Sequence, residues 1–101
     1  MREIMNIALD KIYPGFDEMI KREIRFSFRM YGERWCVHAS RYHSHYFILS
    51  NWKIGCSVGH ECSHTIKAAK EKGEAILKRV GKKEVFKHLK KFEIINVKKR
   101  S

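Results

Sequence analysis

The sequence has no apolar run near the roughly 20 residues that a membrane-spanning helix needs. Met1–Asp10 also lacks the uninterrupted apolar core of a signal peptide. Cysteine is scarce and odd in number, three in 101 residues, which does not suit a disulfide framework. A cytoplasmic chain with reduced thiols is therefore expected, the setting in which cysteines more often serve metals. Internal repeats, low-complexity tracts, a glycine-rich phosphate loop and any standard nucleic-acid module are missing. Acidic residues are few as well, 11 against 22 Lys and Arg, for a formal net charge of +11. The imbalance is local. Residues 1–34 hold seven basic and six acidic side chains, residues 35–64 two and one, and residues 65–101 thirteen and four. Such a field draws nucleic acid, acidic protein surfaces or anionic lipid, or else it only keeps the chain soluble.

What is present suits a single domain, 1–101, with a basic tail at 98–101. At this length folding buries roughly 60–70% of the surface the unfolded chain exposes, so stability is modest and a metal staple matters. Aliphatic and aromatic content is sufficient for a core. The pattern predicts an α+β fold: a small antiparallel sheet of three to four strands, packed by a main helix over about 65–80, with a short N-terminal helix and a C-terminal helix. In Met1–Ile12, Ile4, Ile7, Ala8 and Ile12 recur at helical spacing, and Tyr13-Pro14-Gly15 ends the segment. Phe16–Arg22 fits a loop or a single helical turn. Ile24–Met30 alternates as a strand, Tyr31–Arg34 turns, and Trp35–Ser40 returns. Pairing Met30 near Trp35 and Phe28 near Val37 puts Trp35, Val37 and Ala39 on the apolar face and Cys36 and His38 on the other. Tyr46–Ser50 reads as a third strand and Ile54–Val58 as a fourth, weakened by glycine. Thr65 is placed to cap the main helix, whose stripe is Ile66, Ala69, Gly73, Ile76, Leu77 and Val80. The opposite face offers Glu74–Lys78 in the favourable i,i+4 order, and Gly81 supplies the stop. A second helix is expected from Lys82 to Lys91, with Val85, Phe86 and Leu89 inward. Phe92, Ile94, Ile95 and Val97 suit an edge strand or an extended arm.

Side-chain chemistry concentrates in Cys56-Ser57-Val58-Gly59-His60-Glu61-Cys62-Ser63-His64. Cys56, His60, Cys62 and His64 supply two thiolates and two imidazoles, the donor set of a closed structural zinc site. The spacing demands a tight wrap, which Gly55 and Gly59 permit. Cys36, His38, His43 or His45 from the sheet could replace one of the four. The plain alternative is a pair of buried, inert cysteines beside surface histidines, and a redox-active pair is a third option. Within the same stretch, His60-Glu61-Cys62-Ser63-His64 matches the His-Glu-x-x-His pattern of zinc metallopeptidases. There two histidines one helical turn apart hold the metal and the glutamate serves as general base. Glu84 lies twenty residues beyond His64, about where the thermolysin-like peptidases place a glutamate ligand. Context argues against that chemistry: glycines precede the motif, the helical stripe begins only at Ile66, Gly81 intervenes before Glu84, and so short a chain has little room for a substrate cleft.

A basic surface for a partner is expected from Lys67, Lys70, Lys78, Lys82, Lys83, Lys87, Lys90 and Lys91. With Phe86, His88 and Phe92 nearby, it suits lysines on phosphates and aromatics on bases, although Phe86 and Phe92 also fit the core of an amphipathic helix.

The middle of the chain resembles small accessory proteins of bacteriophages and mobile elements. The resemblance covers residues 34–80 and rests on Trp35-Cys36-Val37, Tyr46-Phe47-Ile48-Leu49-Ser50, Trp52-Lys53-x-Gly55 and Thr65-Ile66-Lys67-Ala68-Ala69. Among such proteins, anti-CRISPR inhibitors are compact, cytoplasmic and without catalytic machinery. The resemblance implies a non-enzymatic inhibitor in the host bacterial cytoplasm that binds a CRISPR effector such as a Cas9-like nuclease. The basic charge sets this chain apart from inhibitors that mimic DNA. A basic nucleic-acid-binding accessory or regulatory protein is the alternative, and a small zinc metallopeptidase the third.

Overall fold

The computed structural model describes residues 2–8, 19–40, 44–59 and 61–90. They form an α+β fold in three layers. Two strands, β1 (Ile4–Ala8) and β2 (Met19–Glu23), make one antiparallel pair. Three more, β3 (Phe26–Met30), β4 (Glu33–Ala39) and β5 (Phe47–Asn51), make an antiparallel sheet with β4 in the centre. Helix α1 (Ile66–Val80) follows, and residues 82–90, α2, are helical up to the last described position.

The expected N-terminal helix is overturned over its described part. Ile4–Ala8 is extended and pairs with β2, Met5 opposite Arg22 and Ile7 opposite Ile20. Met5 and Ile7 are buried while Ile4 is exposed, so the operative spacing is two. In so short a segment both periods fit, and long-range pairing with Met19–Glu23 decides between them. Phe16–Arg22, expected as a loop or a helical turn, supplies β2 over its described part.

Ile24–Arg25 is a corner where one extended run changes sheets. Ile24 N–H donates to Glu3 O at 2.8 Å, and Arg25 N–H donates to Val37 O at 2.8 Å. The corner folds the β1–β2 pair over one face of the main sheet. Met5 and Ile7 then pack on Cys36, with Ile20 and Ile24 alongside. A bidentate pair fastens the flap: Arg34 donates to Glu3 at 2.5 and 2.6 Å. This hydrogen bonding holds the Glu3 carboxyl below the usual carboxylate range.

The other face carries the main core, with Trp35, Val37, Leu49, Ala69, Leu77 and Val85 buried together. The expected division of β4 holds: Trp35 and Val37 face the helices, Cys36 and His38 the opposite side. The hairpin register is shifted by two, Phe28 opposite Trp35 and Met30 opposite Glu33, which keeps each residue on its face. Two residues, not four, make the turn. Tyr31 and Gly32 have φ of 59° and 75°, the positive pair of a type I′ turn. Tyr31 meets this unusual demand with its hydroxyl donating to Leu77 O at 3.3 Å.

Helix α1 begins and ends as its sequence directs. Thr65 Oγ1 accepts from Ala68 N–H at 3.0 Å, and Gly81, φ 90°, returns its N–H to Leu77 O. Ala69, Gly73 and Leu77 are buried against the sheet. The fourth candidate strand, Ile54–Val58, reduces to one bridge residue, Ser57 opposite Ser50. Asn51 folds the residues that follow it, 52–54, into a turn, its Oδ1 accepting from Lys53 and Ile54 N–H at 3.0 and 3.1 Å. The expected strand or arm at Phe92–Val97 and the tail at 98–101 lie outside the described residues.

Candidate functional site

The ligand-rich loop runs along the outer edge of β5. Val58 N–H donates to Leu49 O at 2.7 Å, and Ser63 exchanges both backbone bonds with Phe47 at 2.8 and 2.7 Å. From Ser57 to Ser63 the loop spends more residues than the stretch of β5 it flanks, so its middle bulges away from the edge. Glu61, in that bulge, is exposed and is ion-paired with Lys72 of α1, which holds its carboxyl below the usual range.

The four proposed ligands do not share one environment. Cys56 is buried and lines an apolar cavity of about 150 Å³ beneath the helices, with Trp35, Leu77 and Val85. Cys62 is half-buried. His64 is exposed, its ring centroid 4.6 Å from that of Tyr46. His60 lies outside the described residues. Among the described residues, no three of His, Cys, Asp and Glu lie close enough to hold one metal ion. The sheet separates the proposed replacements Cys36 and His38 from Cys56, since both face the β1–β2 flap. His45 is exposed in a turn, and His43 is outside the described residues. The helical setting that His-Glu-x-x-His requires does not hold over Glu61–Thr65, because α1 starts at Ile66 and Ser63 is bridged to Phe47. Glu84 is exposed on α2.

A Ser–His pair that the spacing did not signal lies under the flap. His38 Nδ1–H donates to Ala39 O at 2.7 Å, which fixes the tautomer, and Nε2 accepts from Ser50 Oγ–H at 2.7 Å. Cross-strand pairing brings them together, since Ser50 stands opposite Cys36, two residues from His38 on the same face. The pair has the contacts of an activated nucleophile. Ser50 is 1% exposed and His38 2%, however, so a substrate has no access. Burial keeps His38 below its ordinary value and pushes the Cys36 thiol up. Both changes suit a sealed layer.

The basic residues are placed as the helical spacing requires. Lys67, Lys78, Arg79, Lys82, Lys83, Lys87 and Lys90 are exposed along α1 and α2. Lys70 is not part of that free face. It is half-buried, 3.1 Å from Glu74 and with its Nζ 5.4 Å from the Phe28 ring centroid. Glu74 thus turns to Lys70 rather than to the expected Lys78. Lys91 lies outside the described residues. On α2, Val85 is buried and Leu89 half-buried, but Phe86 is 38% exposed with Lys82 Nζ 5.7 Å from its centroid. Its expected inward position is corrected: α2 contacts the core along one narrow stripe, and Phe86 falls beside it.

No protein-family model, curated protein or solved structure matches the chain. Among the described residues, no helix is long and apolar enough to cross a membrane.

Proposed function

We propose that this chain is a non-enzymatic cytoplasmic protein that docks on nucleic acid, free or within a nucleoprotein, through the outer face of α1 and α2. One observation carries the reading. Eight Lys and Arg are exposed along these helices, and all but Lys72, which pairs with Glu61, are without an ion pair to a described residue. Residues 66–90 hold nine basic side chains against three acidic. Repelling cations on adjoining helices gain most when a phosphate backbone neutralises several together and releases its counterions. The bacterial effector implied by the anti-CRISPR resemblance is one such nucleoprotein.

Affinity for a labelled duplex or single strand should fall about a thousandfold between roughly 50 and 200 mM salt if about six phosphates are neutralised. Changing Lys78, Lys82 and Lys87 to Glu should flatten the log–log slope by about three. Absence of any complex at low salt rejects the reading. The inhibitor form has its own arm: co-expression with a Cas9-like effector should restore phage plating. Unchanged interference removes that form and leaves nucleic-acid docking standing.

Zinc at Cys56, His60, Cys62 and His64 is a separable part of the proposal. Its support is the donor set itself, together with backbone bonds that pin the loop at Ser57–Val58 and at Ser63, on either side of the bulge. Closing the site requires Cys62 and His64 to turn towards Cys56 around His60. Elemental analysis should find one zinc per chain, and chelator or Cys62→Ser should lower the Tm. A metal-free chain that melts at the same temperature with chelator overturns it.

A further inference from the structure

We infer that the groove between the β4–β5 end of the sheet and α2 seats one unpaired nucleotide, its base against Phe86 and its phosphate between Lys53 and Lys90. The inference rests on the nucleic-acid reading above and narrows it to single strands. The groove encloses about 300 Å³ and is lined by Phe86, Leu89 and Lys90 of α2 and by Glu33, Lys53 and Ile54 below. Volumes of this order hold small organic ligands. Its walls divide as a nucleotide does. Phe86, Leu89 and Ile54 are apolar, and Lys53 and Lys90 add two cationic side chains to the lining.

Phe86 is the informative residue. It is a large aromatic ring left 38% exposed on a lysine-rich helix, beside a recess. A base inside a duplex already has both faces stacked, so this ring can accept only a base that is unpaired. Trp52, 47% exposed, stands on the turn that also carries Lys53, with the Arg34 guanidinium carbon 5.7 Å from its centroid. It offers a second platform for a neighbouring base.

Glu33 adds selectivity. Asn51 Nδ2 donates to Glu33 Oε1 at 3.2 Å, and Asn51 is itself fixed by its turn. The carboxylate is thereby held at the groove, where it can only accept. It favours bases that carry amino groups over thymine.

Binding of labelled oligo-dC, oligo-dT, blunt duplex and heparin to the full chain tests this. Oligo-dC should bind more tightly than oligo-dT and quench Trp52, the exposed one of two tryptophans, since Trp35 is 2% exposed. Phe86→Ala should weaken oligo-dC roughly tenfold while heparin binding is unchanged. Phe86→Tyr should retain it. Glu33→Gln should erase the dC-over-dT preference. Circular dichroism checks that each variant keeps its helices. If Phe86→Ala leaves oligo-dC affinity unchanged, or duplex binds as tightly as single strand, the nucleotide seat is wrong while docking stands. If none of the four polyanions binds, both readings fall.

Discussion

Gly73→Ala should destabilise the fold by about 2 kcal/mol, although it replaces a poor helix former with the best. Two effects oppose each other. The helix gains about 1 kcal/mol in intrinsic propensity. Against this, a Cβ at Gly73 would lie 2.4 Å from Leu49 Cδ2, 2.7 Å from Leu49 Cβ and 3.1 Å from Leu49 Cγ. A rotamer change could move Cδ2 aside, but Leu49 Cβ is fixed to the backbone of β5. Relief therefore requires α1 and the sheet to separate, across a core that also holds Ala69, Leu77, Trp35 and Val37. Overpacking of this kind costs about 1–3 kcal/mol, and backbone-anchored contacts belong at the upper end. Urea denaturation should show a lower midpoint at unchanged slope, and the Tm should drop by about 10 °C. Leu49→Ala alone should cost about 2–5 kcal/mol. The double variant should lose at least about 1 kcal/mol less than the sum, because each change makes room for the other. A Gly73→Ala chain as stable as its parent would show that helix and sheet do not meet at this point.

That contact bears on what could be read in advance. Gly73 is visible in the sequence as part of the apolar stripe of α1, and its burial follows from the period. Its reason, the close approach of Leu49, is a tertiary fact that no local pattern contains. The β3–β4 hairpin shows the same division. Alternation assigned Trp35 and Val37 to one face and Cys36 and His38 to the other. The register slipped by two because a tyrosine at positive φ is a poor turn signal, and Tyr31 tolerates it through its bond to Leu77 O. Ser27, Cys36, His38 and Ser50 look like an outward polar face, yet the last three are buried. Their cover is β1–β2, misread as helical at Ile4–Ala8 because five residues cannot separate a period of 3.6 from a period of 2. At the candidate site the lysines were legible from spacing and charge. The withdrawal of Lys70 onto Phe28 and Glu74 was not, nor was the exposure of Phe86, which depends on how α2 rests on its neighbours.

The sealed layer under β1–β2 leads to the second large effect: acid should destabilise the protein through His38. Burial, with the like charge of Arg22 adding to it, holds His38 below its ordinary value, while its bond to Ala39 O acts in the other direction. In the unfolded chain the same imidazole titrates near pH 6.5. Below that pH the unfolded state binds a proton that the folded state refuses. Stability is therefore complete above about pH 6.5 and declines as the pH falls towards the lowered folded value, at up to about 1.4 kcal/mol per pH unit. The hydrogen bond to Ser50 is not what is lost, since a protonated Nε2 could donate to Ser50 Oγ in its turn. The cost is the charge itself, buried almost completely, with the like charge of Arg22 acting on it and with Glu3 already committed to Arg34. Denaturation midpoints measured from about pH 7.5 down to 5 should fall for the parent. His38→Gln keeps a neutral group able to meet Ser50 and should fall much less over the same range. Ser50→Ala should lower stability by about 1–3 kcal/mol at pH 7.5, because it leaves a buried nitrogen without its donor. Its loss on acidification should match that of the parent, because the proton binds to the imidazole and not to the serine. Equal slopes for the parent and His38→Gln would mean that water or a counter-charge reaches this layer, and that β1–β2 does not seal it.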